Sequence, residues 1–254
     1  MSKTSFKSVA FLALLQSAAG HYYFPHLIVN GTKTPEFKYV RDVAPNPDGT
    51  YDDPDGYNGK EAPVYGEFDT KYMTDVRCGR DGHKWANTTE TASVVAGSEV
   101  GFHIKEFKDA EFNNGVFHSG PAQVYMSASE DLATDVGDGD WFKIYYLGPE
   151  DDTTWATAGA TQINFSIPLT TPPGTYMLRL ELPFPIKDWP GHSQWYVNCA
   201  HVDIIGAGGG TPGPTIKIPD AYKNEDPGIG FEDGVDFNKG LNNYHPPGPA
   251  VWEG

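Results

Sequence analysis

Residues 161–167 read Thr-Gln-Ile-Asn-Phe-Ser-Ile, with apolar side chains at 163, 165 and 167 and polar ones between them. Successive side chains of a β-strand point to opposite faces. This two-residue period therefore predicts a strand with one face in a core and the other in water. Working outward, strand-like runs recur at Phe24–Gly31, closed by an Asn-Gly turn, and at Thr91–Val95, Glu99–Ile104, Ala122–Ser127, Phe142–Tyr146, Thr175–Leu182 and Gln194–Ile205. The chain holds 29 Gly, 21 Pro, 14 Tyr, 14 Phe and 6 Trp, which suits strands joined by turns better than helices. The expected fold is all-β, a β-sandwich. Thr32–Glu67 is long and irregular, with Pro35, Pro45, Pro47, Pro54 and Pro63; loops of this length are usually functional or disordered. Gly206–Pro214 (GAGGGTPGP) reads as a flexible linker. The stretch after Pro214 is too short and too poor in apolar residues for a second domain. Residues 206–254 are therefore expected to pack back on the sandwich as part of one domain, 21–254.

Residues 1–20 have the parts of a secretory signal: Lys3 and Lys7, the apolar run Val9–Leu15, and small residues Ala18-Ala19-Gly20 at the cut. The apolar run is too short to span a bilayer, so the mature protein is expected outside the cell. The formal charge of −16 becomes −18 once two lysines leave with the signal and no acid leaves with them. Such a surface repels nucleic acid and anionic membranes, which excludes both as expected partners. It suits a neutral partner such as a polysaccharide, and equally a protein that merely stays soluble. The two cysteines, Cys78 and Cys199, most simply form one disulfide in an oxidising compartment; the other reading is a thiolate metal site kept reduced outside the cell. Asn30, Asn87 and Asn164 begin glycosylation sequons, of which Asn87, in a polar stretch, is the candidate for occupancy.

A cut after Gly20 makes His21 the first residue of the mature chain. Its α-amino group, with a reference pKa of roughly 7.7–8.0, and its imidazole would then offer two nitrogens from one residue. A cut after Ala19 would leave glycine first and remove that chelate. The chain has eight histidines (21, 26, 83, 103, 118, 192, 201 and 245), but no HExxH helix, zinc-finger spacing, GxSxG elbow or phosphate loop. Any metal or acid–base site must be assembled from distant residues. His118, in Phe117-His118-Ser119-Gly120-Pro121, stands at a strand entry, where it either faces a surface site or caps backbone. Strand alternation puts Gln194 and Tyr196 on one face and Trp195 on the other. That polar pair is either a wet surface pair or the wall of a site. His192 would share their face if the strand starts early. His26 and His201 read as structural strand residues. The acids Glu67, Asp69, Glu181 and Asp203 read mostly as solvated charge, so the case for a hydrolytic carboxylate pair is weak.

In order along the chain stand His21 after the signal, Val29-Asn30-Gly31, Asp75-Val76-Arg77-Cys78, His118-Ser119-Gly120-Pro121 with Val124-Tyr125-Met126, and Trp141-Phe142-Lys143-Ile144-Tyr145. Next come Trp155-Ala156-Thr157, Gly174-Thr175-Tyr176-Met177-Leu178-Arg179, Gln194-Trp195-Tyr196, Cys199-Ala200, Ala221-Tyr222-Lys223, Asp226-Pro227-Gly228-Ile229 and Pro247-Gly248-Pro249. Each is weak alone; in this order they are specific. The chain resembles the auxiliary-activity family 9 lytic polysaccharide monooxygenases, fungal copper enzymes formerly classed as glycoside hydrolase family 61.

The resemblance implies an immunoglobulin-like or fibronectin-like sandwich with long loops and a flat copper-bearing face. It assigns one copper per chain to the amine and ring of His21 and the ring of His118, a nitrogen-rich set that suits Cu(II) over zinc. Tyr196 maps to the axial tyrosine and Gln194 to a glutamine beside the metal. Cys78–Cys199 maps to a family disulfide, and Tyr222 and Tyr244 map to rings presented to sugars. It further implies a secreted monomer that cleaves a β-1,4-glucan such as cellulose at C1 or C4. The oxidant would be O2 or H2O2, with electrons from a small-molecule reductant or a redox protein. One departure stands out. Family members carry Arg-His-Glu and then a histidine where this chain has Arg179-Leu180-Glu181 and Ile186, so His192 is expected to take over that histidine's catalytic role. The departure also keeps open a non-catalytic copper-binding or cell-surface protein of the same fold. A glycoside hydrolase is a third, weaker alternative.

Overall fold

In the computed structural model, which describes residues 21–45, 59–60, 63–65, 74–105, 115–185, 193–223, 226–229 and 240–254, the alternation at 162–166 takes three-dimensional form. Ile163 and Phe165 are buried while Gln162 and Ser166 are exposed. The strands are β1 (His26–Val29), β2 (Thr32–Lys33), β3 (Val64–Tyr65), β4 (Ala92–Val95), β5 (Glu99–His103), β6 (Ala122–Ala128), β7 (Trp141–Leu147), β8 (Gln162–Ser166), β9 (Gly174–Phe184), β10 (Gln194–Ile205) and β11 (Thr215–Ile216). One short helix, α1 (Asp75–Cys78), precedes a 3-10 turn at Gly82–Trp85; neither was foreshadowed by the sequence pattern. Among the described residues, no helix is long and apolar enough to cross a membrane.

The strands make two sheets, one in the order β2-β1-β5-β8 and one in the order β11-β7-β6-β9-β10-β3, with β4 joining β10 in parallel. This is the expected β-sandwich. Leu27, Phe102, Ile163 and Phe165 of the smaller sheet belong to one apolar cluster with Val124, Met126, Leu178, Leu180 and Val202 of the larger. The larger sheet is covered on its other side too. There Tyr125, Trp141, Met177, Trp195, Val197 and Cys199 pack with Val76 of α1 and with Ile218, Tyr222 and Ile229 of the C-terminal segment. Burial on both faces explains why β9 and β10 run on without the clean alternation of β8. The C-terminal segment contributes β11, paired with β7 through Thr215↔Phe142, and Trp252 N–H donates to Lys143 O at 2.7 Å.

The expected disulfide between Cys78 and Cys199 is formed and ties α1 to β10 across 121 residues. Closing a loop of that length is worth roughly 4–5 kcal/mol in the chain-entropy model.

Glu181, read from sequence as solvated charge, has no exposed side-chain surface. Its carboxylate pairs with Arg179 and accepts hydrogen bonds from Gln123 Nε2 at 2.7 Å and Tyr222 OH at 2.9 Å. Strand β9 is covered on this face by the C-terminal segment, and local sequence carries no sign of that cover. His201 is structural, as expected: Arg41 Nε donates to its Nε2 at 2.8 Å. Burial and the neighbouring guanidinium push the His201 pKa down to about 3.

Candidate metal centre

The site grows from the first residues of β10. Gln194 and Tyr196 lie on one strand face, as the alternation predicts, and Tyr196 OH donates to Gln194 Oε1 at 2.6 Å. Both are buried, so the pair is an interior wall rather than a wet surface feature. Trp195 points the opposite way and stacks on Tyr222, with 5.2 Å between ring centroids.

The segment preceding β1 lies over this wall. Phe24 N–H donates to Asn198 Oδ1 of β10 at 2.9 Å, and the Tyr22 ring stacks on Tyr196 at 3.9 Å with 15° between planes. One residue, Tyr23, separates Tyr22 from Phe24, and both are buried. Burial raises the Tyr22 phenol well above its ordinary range and keeps it a neutral donor. His21, also buried, is thereby set beside Tyr196, 6.2 Å between ring centroids.

The turn entering β6 supplies the second imidazole. Gly120 O accepts from Thr157 Oγ1 at 2.6 Å, and a Cβ at Gly120 would collide with the Pro183 carbonyl of β9, so only glycine lets the turn sit this close. The hydroxyl of Tyr22 donates to His118 O at 2.9 Å. The His118 ring stacks on Phe184 at 4.8 Å and meets the His21 ring edge-on, 5.0 Å between centroids and 75° between planes. Its Nδ1 lies 2.9 Å from Tyr196 OH. With the Tyr196 proton given to Gln194, the Tyr196 oxygen is free to accept from Nδ1–H of His118.

Two imidazoles, one oriented by a hydrogen bond through its other nitrogen, form the kind of donor set that a metal takes. Among the described residues, no group of three or more His, Cys, Asp or Glu is arranged to hold a metal ion.

The family model for Auxiliary Activity family 9 (formerly GH61) matches residues 21–244, beginning at His21 itself. The chain belongs to Auxiliary Activity family 9. AA9 family lytic polysaccharide monooxygenase U of Thermothielavioides terrestris is 44% identical, over 93% of this chain and 94% of that protein. AA9 family lytic polysaccharide monooxygenase C of Emericella nidulans is 37% identical, over 95% of this chain and 96% of its own length. Among solved structures, CvAA9A superposes with a TM-score of 0.69 at 26% identity, covering 91% of this chain and 98% of that one. The crystal structure of HiLPMO9B gives 0.68 at 26%, covering 92% and 100%. The AA9 lytic polysaccharide monooxygenases are oxidoreductases that cleave polysaccharides oxidatively.

In this AA9 chain the structure brings His21, His118, Tyr196 and Gln194 together and places two other expected residues elsewhere. The expectation that Tyr222 and Tyr244 present rings to sugar is corrected: they are 3% and 7% exposed. Tyr222, in the C-terminal segment, is held inward against the larger sheet by its hydrogen bond to Glu181 and its stack on Trp195. Tyr244 OH donates to Gly228 O at 2.8 Å, and its ring meets Trp155 edge-on at 5.0 Å. Residues 1–20, Ile186 and His192 lie outside the described residues. Asn87 is exposed after the 3-10 turn. Tyr22, Phe184 and Asn198 were not singled out from sequence. For Tyr22 the local sequence, His-Tyr-Tyr-Phe, carries no alternation that would mark it.

Proposed function

We propose that this protein, secreted and cut after Gly20, is a copper-dependent polysaccharide monooxygenase acting on a β-1,4-glucan such as cellulose at C1 or C4. The observation that carries the reading is the edge-on pair of His21 and His118 against Tyr196, on the residue where the family match begins. Cleavage at Gly20 would free the α-amine and complete a set of three nitrogens, with Tyr196 beside it. Nitrogen ligands in a tetragonal arrangement suit Cu(II). One copper so held would supply the one-electron chemistry by which O2 or H2O2, with external electrons, removes a hydrogen atom from the sugar.

The chain's own part is orientation. With Nδ1 engaged by Tyr196, His118 would offer Nε2 to the metal. Tyr196 links His118 and Gln194 through one hydroxyl, donating to Gln194 and contacting His118 Nδ1. Tyr22 and Asn198 fix where the mature N-terminus lies. We assign to His192, two residues ahead of Gln194, the proton-donating role of the histidine that Ile186 replaces. The electron donor is a small reductant or a redox protein, the protein works as a monomer, and Asn87 carries glycan.

N-terminal sequencing of the secreted protein should return His-Tyr-Tyr-Phe. One equivalent of Cu(II) should bind, and mass spectrometry of products from phosphoric-acid-swollen cellulose should show oxidised oligosaccharides only with copper and ascorbate. Copper binding without oxidised products would favour the non-catalytic reading, which the Ile186 departure motivates. Reducing ends released without copper or reductant would instead indicate a hydrolase. If His192→Ala leaves turnover intact while His118→Ala abolishes copper binding, the assignment of His192 fails.

A further inference from the structure

Within the long stretch 32–67, residues 34–37 fold back on the segment that leads from His21 into β1. Thr34 N–H donates to Leu27 O at 2.9 Å, and Phe37 N–H donates to Pro25 O at 2.8 Å. Phe37 has a left-handed backbone, with φ of 53°; among the described residues only Asn30 and Asp81 share that feature without being glycine. Asn and Asp tolerate this region through short polar side chains, whereas a bulky residue there is an outlier. Such outliers persist only where their surroundings hold them, and they gather where function demands a particular geometry.

Ring packing holds this one. The Phe37 ring lies parallel to that of Tyr23, 6.0 Å between centroids and 3° between planes, within the range of an offset stack. Lys60 Nζ stands over the Phe37 ring at 4.7 Å, close enough for a cation–π contact. Asp42 fixes that ammonium with both carboxylate oxygens, at 2.5 and 2.7 Å, and its Oδ1 also accepts from Val43 N–H at 2.7 Å. The backbone of Tyr23 is tied as well, since Lys105 N–H donates to Tyr23 O at 2.9 Å. Tyr23 and Lys60 share the lining of one small cavity with Tyr22, Tyr196 and Asn198, so the stack adjoins the wall that β10 gives the site.

We propose that Phe37 is a positioning residue for the mature N-terminus: stacked on Tyr23 and held by Lys60, it fixes the direction in which the α-amine of His21 leaves the fold. The assignment rests on the reading of His21 as the first residue and a copper ligand. Chain ends fray unless they are tied down. Tyr22 and Phe24 anchor this end on β10, through the stack on Tyr196 and the hydrogen bond to Asn198. Phe37 takes hold of the one residue between them. With residues 22, 23 and 24 each held, His21 keeps little freedom. The left-handed turn is retained because it delivers the ring to Tyr23.

The test uses the secreted protein cut after Gly20, with Phe37→Gly and Phe37→Tyr. Glycine removes the ring and suits the left-handed backbone, so the loop keeps its path; tyrosine keeps the stack. The first readout needs no metal. A broad-specificity aminopeptidase, applied well below each thermal midpoint, releases His21 at a rate that tracks local opening of the chain end. Phe37→Gly should release it about fivefold faster than wild type, the scale of one aromatic pair, and Phe37→Tyr within about twofold of wild type. The second readout is calorimetry with Cu(II), which should show affinity weakened about fivefold in Phe37→Gly alone, with an altered paramagnetic resonance spectrum. Release at the wild-type rate in Phe37→Gly, even with a lowered thermal midpoint, would make the ring merely structural and overturn the proposal. Equal acceleration in both variants would overturn it too, as would faster release with wild-type copper affinity and spectrum. If wild type bound no copper, the release rates would still decide the role of Phe37, and the failure would belong to the metal reading.

Discussion

Tyr22 lies flat on Tyr196, 3.9 Å between ring centroids, while its hydroxyl reaches across to the backbone carbonyl of His118 at 2.9 Å. One side chain therefore fixes both the residue after the expected cut and the turn that carries the second imidazole. Tyr22→Phe keeps the stack and loses the hydrogen bond, which should cost about 1 kcal/mol of stability. Tyr22→Ala loses both and should cost about 3–5 kcal/mol. Denaturant unfolding measures the two values. Calorimetry with Cu(II) should show weaker binding in Tyr22→Ala than in Tyr22→Phe; equal affinities would remove Tyr22 from the positioning of His21.

Tyr196 joins Gln194 to His118 through one hydroxyl. Partners of this kind, which fix the tautomer of a ligating histidine, typically change metal affinity about 10–100-fold when removed. Tyr196→Phe should fall in that range for Cu(II) and shift its paramagnetic resonance spectrum, with the fold retained. An unchanged affinity and spectrum would show that the hydrogen bond to Tyr196 does not orient His118.

Glu181 and Arg179 form a buried ion pair, and Gln123 and Tyr222 donate hydrogen bonds to its carboxylate. Removing one charge strands the other, a loss of about 3–5 kcal/mol. Glu181→Leu should unfold at correspondingly lower denaturant. Tyr222→Phe should cost about 1–2 kcal/mol and leave binding to cellulose unchanged. Weakened cellulose binding in Tyr222→Phe, at unchanged stability, would contradict its interior placement.

The His201 pKa of about 3 makes a pH prediction with a definite sign. Below about pH 6.5 the unfolded chain takes up a proton that the folded chain refuses until about pH 3, so the unfolded state binds more protons in that window. This contribution to stability is full above pH 6.5 and falls as pH drops, by about 1.4 kcal/mol per unit once below that value. His26, also lowered by burial, adds in the same direction. Thermal unfolding between pH 7 and 4 should show a falling midpoint, and His201→Gln, which can still accept from Arg41, should flatten the slope.

The sandwich was legible because burial of one sheet face writes itself into every second residue, as at Ile163, Phe165 and Ile167. Strand β10 was read to its observed bounds, Gln194–Ile205, and the Cys78–Cys199 bridge followed from a lone pair of cysteines. Within the site, the common face of Gln194 and Tyr196 followed from the same period. The family resemblance implied exposed rings at Tyr222 and Tyr244, and the residues around them carry no mark of the packing that buries both. Glu181 was misread for the same reason: its partners are Arg179, two residues away, and Gln123 and Tyr222, which lie 58 and 41 residues away.

By itself, the sequence determined the two-layer β architecture, the pairing of the cysteines and the candidates His21, His118, Gln194 and Tyr196, since these rest on periodicity, on residue chemistry and on order along the chain. Only the tertiary structure decided that Tyr22 stacks behind Tyr196, that Tyr222 closes a buried charge network, and that Phe37 stacks on Tyr23. Each of those depends on which distant segment covers a given face, and the cover is set by packing across the two sheets and the C-terminal segment rather than by the residues adjacent in sequence.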